Sequence, residues 1–337
     1  MKIIQNKPLK NYNTFGIDAK AKYFAVITME SHLQELVNDP VYKENEKLIL
    51  GGGSNVLFTG DYPGLVIYMD IRGMRMERVS SGEVIMEAGA GENWHEFVEI
   101  CMKNKYYGLE NLALIPGKVG AAPVQNIGAY GAEQKDFFIK LKGFDLETGE
   151  FREMMPSDCR FGYRDSVFKN ELKGKFIITS VQYRLLKEER LNLTYKELEQ
   201  EVTKFVVVEP TPQYVFDTVV RIRRQKLPDP EETGNAGSFF KNPLVSNDKF
   251  TELREKFPQI PGFPSPAGMK IPAGWLIQQC GWKGQSRGNA GVSDKHALIL
   301  INKGNASGDE ILDLADDIRA SVNDKFGITL ENEVNVI

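Results

Sequence analysis

Ile115-Pro-Gly-Lys-Val-Gly-Ala-Ala-Pro-Val-Gln-Asn-Ile-Gly-Ala-Tyr-Gly131 shows neither the alternation of a strand nor the three-to-four spacing of a helix. Small residues recur along it, with Gln125 and Asn126 interleaved. The wider stretch 108–131 is long, patternless and rich in Gly, Ala, Pro and Asn. A segment of that kind is functional or disordered, and its apolar content argues against disorder. Gly117, Gly120, Ala121, Ala122 and Gly128 leave the backbone open to a bulky, flat ligand. The segment therefore reads as a cofactor cradle.

Regular elements flank it on both sides. Upstream, Ser31 to Asn38 reads as a short helix, and Gly64 to Met69 and Glu83 to Ala88 as strands. Asn93 to Lys105 reads as a helix with Trp94, Phe97, Val98 and Cys101 on one face. The apolar run Lys47 to Leu50 meets Gly51-Gly52-Gly53-Ser54-Asn55, which is either an anion nest of backbone N–H groups or a plain turn. Downstream, strands are expected at Lys140 to Leu146 and Lys175 to Leu186, with a turn at Thr148-Gly149. Thr211-Pro212 opens a helix that carries Val215, Val219 and Ile222 and ends in the basic stretch Arg221 to Lys226. Leu227-Pro-Asp-Pro230 is the expected domain boundary, and a second glycine loop, Gly234 to Ser238, follows it. Ser307-x-x-Glu310 is a capping box before Ile311, Leu314, Ala315, Ile318 and Val322. A final alternating strand is expected, with Ile328, Leu330, Val334 and Val336 on one face and Thr329, Glu331, Glu333 and Asn335 on the other.

Composition narrows the function classes. With 42 basic and 46 acidic residues in 337 and no long basic run, nucleic acid is not expected as a partner. Cys101, Cys159 and Cys280 are odd in number and far apart, which suits unpaired thiols in a reducing compartment. The start MKIIQNKPLKNYNTFG lacks an apolar signal-peptide core, and no stretch approaches a membrane span, so a cytoplasmic protein is expected. There is no GxxxxGK[ST], no complete GxGxxG and no GxSxG. His32, His95 and His296 are too scattered for a zinc pattern, and no metal site is expected.

Three further residues invite chemical readings, each with a plainer alternative. Arg164 in Phe161-Gly-Tyr-Arg-Asp-Ser166 is either a carboxylate clamp or half of a surface pair with Asp165. Ser238 in Asn235-Ala-Gly-Ser-Phe-Phe-Lys-Asn-Pro243 reads by itself as a turn or cap residue. It has no His or Asp at a nucleophile's spacing. Glu333 reads by itself as a solvated residue on a polar face.

In combination these segments say more. Asn13-Thr-Phe-Gly16, Gly51 to Leu57, Gly89-Ala-Gly-Glu-Asn-Trp94, Gly108-Leu-Glu-Asn-Leu112, Ile115 to Gly131, Phe161 to Ser166 and Gly234 to Pro243 occur in one order. From about Asn13 to Glu333 the chain closely resembles the UDP-N-acetylenolpyruvoylglucosamine reductase (MurB) family, first type. The resemblance implies an α+β, three-domain flavoprotein with a PCMH-type, vanillyl-alcohol-oxidase-like FAD-binding fold and a C-terminal substrate-binding domain. The expected division is 1–70, 71–222 and 223–337, with the first two parts holding FAD and the C-terminal strand packing back on the first.

By position, the resemblance makes Arg164, Ser238 and Glu333 the catalytic residues. It assigns Tyr163, Tyr195, Lys226 and Asn242 to the substrate, with Tyr195 in the loop Leu193-Thr-Tyr-Lys196. It assigns Gly51, Gly52, Gly53, Ser54 and Asn55, with the small residues of the cradle, to noncovalent FAD. His296 departs from the Gln that some first-type members carry, and with the sequence ending at Ile337 the C-terminal tail of some relatives is not expected. The implied reaction uses NADPH to reduce the enolpyruvyl ether of a UDP-amino sugar, in making cell-wall precursors. NADPH and the sugar nucleotide are expected to share one space in ping-pong order, and the protein is expected to be a monomer. Two alternatives stand beside this reading: a flavin oxidase on the same fold, and a UDP-sugar-binding regulator without chemistry.

Overall fold

The computed structural model describes residues 1–204 and 209–337. They form two compact units: Met1–Lys7, Ala21–Gly52 and Pro63–Arg223 make the first, and Pro8–Lys20, Gly53–Tyr62 and Arg224–Ile337 the second. The chain thus passes from one unit to the other inside the glycine loop, between Gly52 and Gly53. Helix and sheet are mixed throughout, as an α+β chain requires.

The first unit contains two sheets. A four-stranded sheet runs in the order Ile3–Pro8, Lys20–Ile27, Tyr62–Met69, Lys47–Leu50, the last two parallel. A five-stranded antiparallel sheet runs Glu150–Met154, Phe138–Asp145, Phe176–Leu186, Glu83–Gly89, Met74–Val79. The helix Trp94–Lys103 starts at Asn93, whose side chain accepts from the Glu96 N–H at 3.1 Å. Its expected face is buried. Trp94 and Phe97 pack on Tyr183 of the central strand at ring distances of 5.6 and 5.7 Å. Each such large apolar side chain contributes about 1.5–3 kcal/mol by leaving water. Val215, Val219 and Ile222 of the helix Pro212–Lys226 complete this core. Thr211 caps that helix, its hydroxyl accepting from the Tyr214 N–H at 3.3 Å.

The second unit is built on the sheet Gly234–Ser238, Ile299–Asn302, Ala290–Val292, Ser286–Arg287, and on the helix Gly308–Phe326. The capping box forms, with Ser307 and Glu310 bonding reciprocally. Two expectations are corrected here. Gly234–Ser238 is an edge strand and not a loop. Gly237 at φ 69° lies at the register shift between Asn235 and Ser238. The alternating run from Ile328 is not one strand either; only Asn335–Val336 is regular. Ile328, Leu330 and Val334 are buried as expected, but Val336 is exposed. The cause is a change of partner. Residue 332 bridges to Phe240, and beyond Val334 the chain turns to pair in parallel with Val56–Leu57.

Cys101 and Cys159 are buried, Cys280 is half-buried, and none is disulfide-bonded. Burial pushes the Cys101 and Cys159 thiols up to about 12, so both stay protonated and unreactive at neutral pH.

Candidate active site

In the first unit the cradle segment is pinned to the turn that follows Glu83–Gly89. The Val119 N–H donates to the Glu92 carbonyl at 2.9 Å and the Gly120 N–H to that of Ala90 at 3.0 Å. The Trp94 N–H returns a bond to the Gly117 carbonyl at 3.0 Å. This contact makes Gly120 obligatory, since a methyl group there would stand 2.5 Å from Ala90 Cβ. Gly51 and Gly52 run alongside. A methyl group at Gly52 would lie 3.2 Å from Gly117 Cα, and one at Gly51 would lie 3.7 Å from Ala121 Cβ. Two backbone runs that approach this closely, with only the Ala121 methyl group and the Lys118 stem against Gly51 and Gly52, suit phosphates and a flat ring system, so these residues fit FAD. Lys118 interrupts the small residues but folds away. Its ammonium donates to the Met69 carbonyl at 2.5 Å and to Asp70 at 3.0 Å, over the Tyr68 ring.

Arg164 is joined to the same segment. Its guanidinium donates to the Gly128 carbonyl at 2.8 Å, and its backbone is left-handed at φ 55°. Gly162 is held by Asn126, whose amide donates to the Gly162 carbonyl at 3.0 Å. Asp165 accepts from the Asn170 amide at 3.0 Å. Tyr163 is exposed beside Arg164, the guanidinium lying 5.8 Å from its ring centroid. Burial lowers the affinity of Arg223 for its proton; Tyr130 opposes this, and the nearby Arg164 charge adds to the lowering. Two neighbouring cations favour an anion.

The end of the cradle is a hairpin. Gly128–Ala129 pairs with Ala132–Glu133 across Tyr130 and Gly131, both at positive φ (48° and 84°), as a type I′ turn requires. The loop bearing Tyr195 sits on this turn. Asn192 donates to the Gly131 carbonyl at 3.0 Å, and Tyr195 meets the Tyr130 ring edge-on at 5.5 Å. Burial pushes the Tyr130 phenol up to about 12, although the Arg223 charge opposes this.

In the second unit the structure brings Ser238, Glu333 and Asn55 together. The Glu333 N–H donates to the carbonyl of Phe239, the residue after Ser238, at 2.8 Å. The Asn55 side chain donates to the Glu333 carbonyl at 3.2 Å. Gly53 holds this turn at φ 66°, and a methyl group on it would stand 2.0 Å from the Tyr12 carbonyl oxygen. Ser238 and Glu333 are both half-buried. Asn242 caps a neighbouring helix by accepting from the Ala273 N–H at 2.9 Å. Lys226 is the last residue of the helix Pro212–Lys226 and is half-buried.

Some residues at the site had no role assigned from the sequence. Asn111 donates to both the Tyr130 and Asn192 carbonyls at 2.8 Å, tying the hairpin to the Tyr195 loop. His95 and Arg223 both bond to the backbone of Leu114. Arg223 lay within a basic stretch, which was a usable signal. The left-handed backbone of Leu114, at φ 56°, had none, because leucine does not announce it. Among the described residues no cluster of His, Cys, Asp or Glu could hold a metal ion, and no helix is long and apolar enough to cross a membrane.

The chain is similar to known proteins over its full length. Residues 21–154 match the FAD binding domain family, and residues 229–337 match the C-terminal domain of UDP-N-acetylenolpyruvoylglucosamine reductase. The reductase of Flavobacterium johnsoniae is 47% identical over all of both chains. That of Chromobacterium violaceum is 47% identical over 96% of each. That of Paraburkholderia phytofirmans is 48% identical over 97% of this chain and 95% of the relative. The solved structure of the Thermus caldophilus enzyme has the same fold, with a TM-score of 0.67 at 24% identity, covering 99% of this chain and 98% of that one. The chain belongs to the UDP-N-acetylenolpyruvoylglucosamine reductase family.

Proposed function

We propose that the chain reduces UDP-N-acetyl-3-O-(1-carboxyvinyl)-glucosamine to UDP-N-acetylmuramate with NADPH and FAD, in the cytoplasm, as a step in peptidoglycan precursor synthesis. The observation that supports the reading is the backbone bond between Glu333 and Phe239, which joins the Glu333 main chain to the residue after Ser238. The bare runs at Gly51–Gly52 and Gly117–Ala122 would hold FAD, with Gly128 beside Arg164. Bound there, FAD supplies the hydride taken from NADPH to the methylene carbon of the substrate. The protein's own groups handle the rest of the reaction.

Hydride addition leaves negative charge on the carbon next to a carboxylate that is already anionic. Arg164, as a cation on that carboxylate, and Glu333, as an acid, stabilise the developing charge. The carbon then needs a proton. A carbanion-like centre is a strong enough base to take one from a well-placed hydroxyl, and Ser238 is assigned that role. Tyr163, Tyr195, Lys226 and Asn242 are assigned to binding the sugar nucleotide. Tyr195 sits in a loop and is exposed, which suits a residue that folds onto an entering ligand. Lys226 closes a basic helix end, which suits a diphosphate. The three-part division, with FAD held by 1–70 and 71–222 and the sugar nucleotide by 223–337, and the monomeric state belong to the same proposal.

The test is direct. The purified protein should be yellow and should bleach with NADPH. The colour should return on adding the enolpyruvyl sugar nucleotide without oxygen, giving UDP-N-acetylmuramate by mass. Rapid NADPH oxidation that consumes oxygen and ignores the sugar would make the protein an oxidase. A colourless protein that binds only the sugar nucleotide would make it a regulator.

A further inference from the structure

Leu114 stands where the chain enters the cradle, in a left-handed conformation that is unfavourable for leucine (φ 56°). Side chains from two helices hold both of its backbone polar groups. Its N–H donates to His95 Nδ1 at 3.1 Å, and its carbonyl accepts from Arg223 Nε at 3.1 Å. His95 is fixed in turn. It projects from the first turn of the helix Trp94–Lys103, its ring lies nearly parallel to that of Phe216 at 5.8 Å, and its Nε2 faces Glu99 at 3.6 Å. A neutral ring that accepts at Nδ1 carries its proton on Nε2, the side of the carboxylate. Phe216 and Arg223 both belong to the helix Pro212–Lys226, so that helix supports one arm of the clamp and supplies the other.

We propose that His95 and Arg223 are positioning residues that hold Leu114 left-handed and so set the path of Ile115 to Gly131 over FAD. The inference rests on the assignment of that segment to FAD. Gly117, three residues after Leu114, is the point of close approach to Gly52. A flip at Leu114 would redirect the chain just before it, without unfolding the core beneath.

A thermodynamic cycle on the full-length protein, stripped of FAD and reconstituted, tests this. His95→Phe keeps a ring against Phe216 and removes the acceptor, together with the contact to Glu99. It should weaken FAD binding roughly tenfold, the order of one strained backbone residue left unsupported, as read by flavin fluorescence quenching. Leu114→Gly tolerates the left-handed backbone without a clamp. In that background His95→Phe should change FAD affinity by less than about threefold, because the interaction between neighbouring sites is what the cycle isolates. His95→Gln, which restores an acceptor, should recover most of the affinity. In His95→Phe the Leu114 amide should exchange with solvent faster than in the wild type.

Equal losses in both backgrounds, or no loss in either, would overturn the clamp. Failure of His95→Phe to fold in both backgrounds would make His95 a core residue and overturn it too, whereas folding restored by Leu114→Gly would support it. Hydrogen exchange of the wild type with and without FAD separates the two ideas. If FAD leaves amides 115–128 unprotected, the assignment of the segment fails whatever the cycle shows.

Discussion

At the scale of single residues, glycines that look alike in sequence differ in what holds them. Gly16 and Gly53 both have φ near the left-handed minimum, 68° and 66°. Around Gly16 nothing lies within 4 Å of where a methyl group would go, while at Gly53 the Tyr12 carbonyl oxygen would be 2.0 Å away. Gly16→Ala should therefore cost only the backbone preference, about 1 kcal/mol. Gly53→Ala adds a clash with backbone and should cost about 2–4 kcal/mol. Urea unfolding of the two variants measures the gap, and equal costs would show that the turn at Gly53 yields. Ser238 poses a different question, because its hydroxyl is assigned to chemistry. Ser238→Ala should leave bleaching by NADPH within a few-fold of wild type. The return of colour with the enolpyruvyl sugar should slow by about 10²–10⁴-fold, the scale of general acid catalysis. Equal slowing of both phases would make Ser238 a shaping residue, and no slowing would make it a strand-end residue only.

Elements show where the sequence was legible and where it was not. The helix Trp94–Lys103 could be read because its pattern repeats within one element and its cap is local, Asn93 to Glu96. The same holds for the helix opened by Ser307 and Glu310. The stretch from Ile328 misled because alternation records which residues are buried and not which strand they pair with; the chain changes partner near Val334. Gly234–Ser238 misled because a bulge places a positive-φ glycine inside a strand, where glycine ordinarily signals a loop. Arg164 and Glu333 were found only through motif order, since an arginine beside an aspartate and a glutamate in an exposed run have ordinary explanations. Asn111 lies in one of the ordered motifs, but no role was assigned to it, because its partners lie on two distant loops. Both of its N–H groups are used, on Tyr130 and Asn192, and it is 1% exposed. Asn111→Asp would turn two donors into a carboxylate facing two carbonyls. It should destabilise the protein by about 2–4 kcal/mol and free the Tyr195 loop for proteolysis. An unchanged melting temperature with an equally resistant loop would refute this account of the loop's seat.

For the whole molecule, the units do not follow the order of the chain, and this bears on what can fold alone. The C-terminal family match begins at residue 229, which suggests a separable domain. The second unit also includes Pro8–Lys20 and Gly53–Tyr62. Phe15 and Phe58 are buried there, and Phe15 packs edge-on against Phe239 at 6.4 Å. Asn302 donates to the Phe15 carbonyl at 2.9 Å, and the Asn235 N–H donates to Thr14 at 3.0 Å. Val56–Leu57 is the strand partner of Asn335–Val336, and the start of the helix Gly308–Phe326 rests on Phe58 so closely that only glycine fits at Gly308. A fragment of residues 229–337 would lose all of this. Two large apolar side chains at about 1.5–3 kcal/mol each, with several hydrogen bonds at about 1 kcal/mol each, are comparable to the whole 5–15 kcal/mol that stabilises an ordinary domain. The isolated fragment should therefore unfold without a cooperative transition and bind a hydrophobic dye. Adding back the 8–20 and 53–62 segments through designed linkers should restore a sigmoidal melt. A sharp, reversible transition of the bare fragment in urea would mean that the N-terminal segments decorate the second unit and do not complete its core.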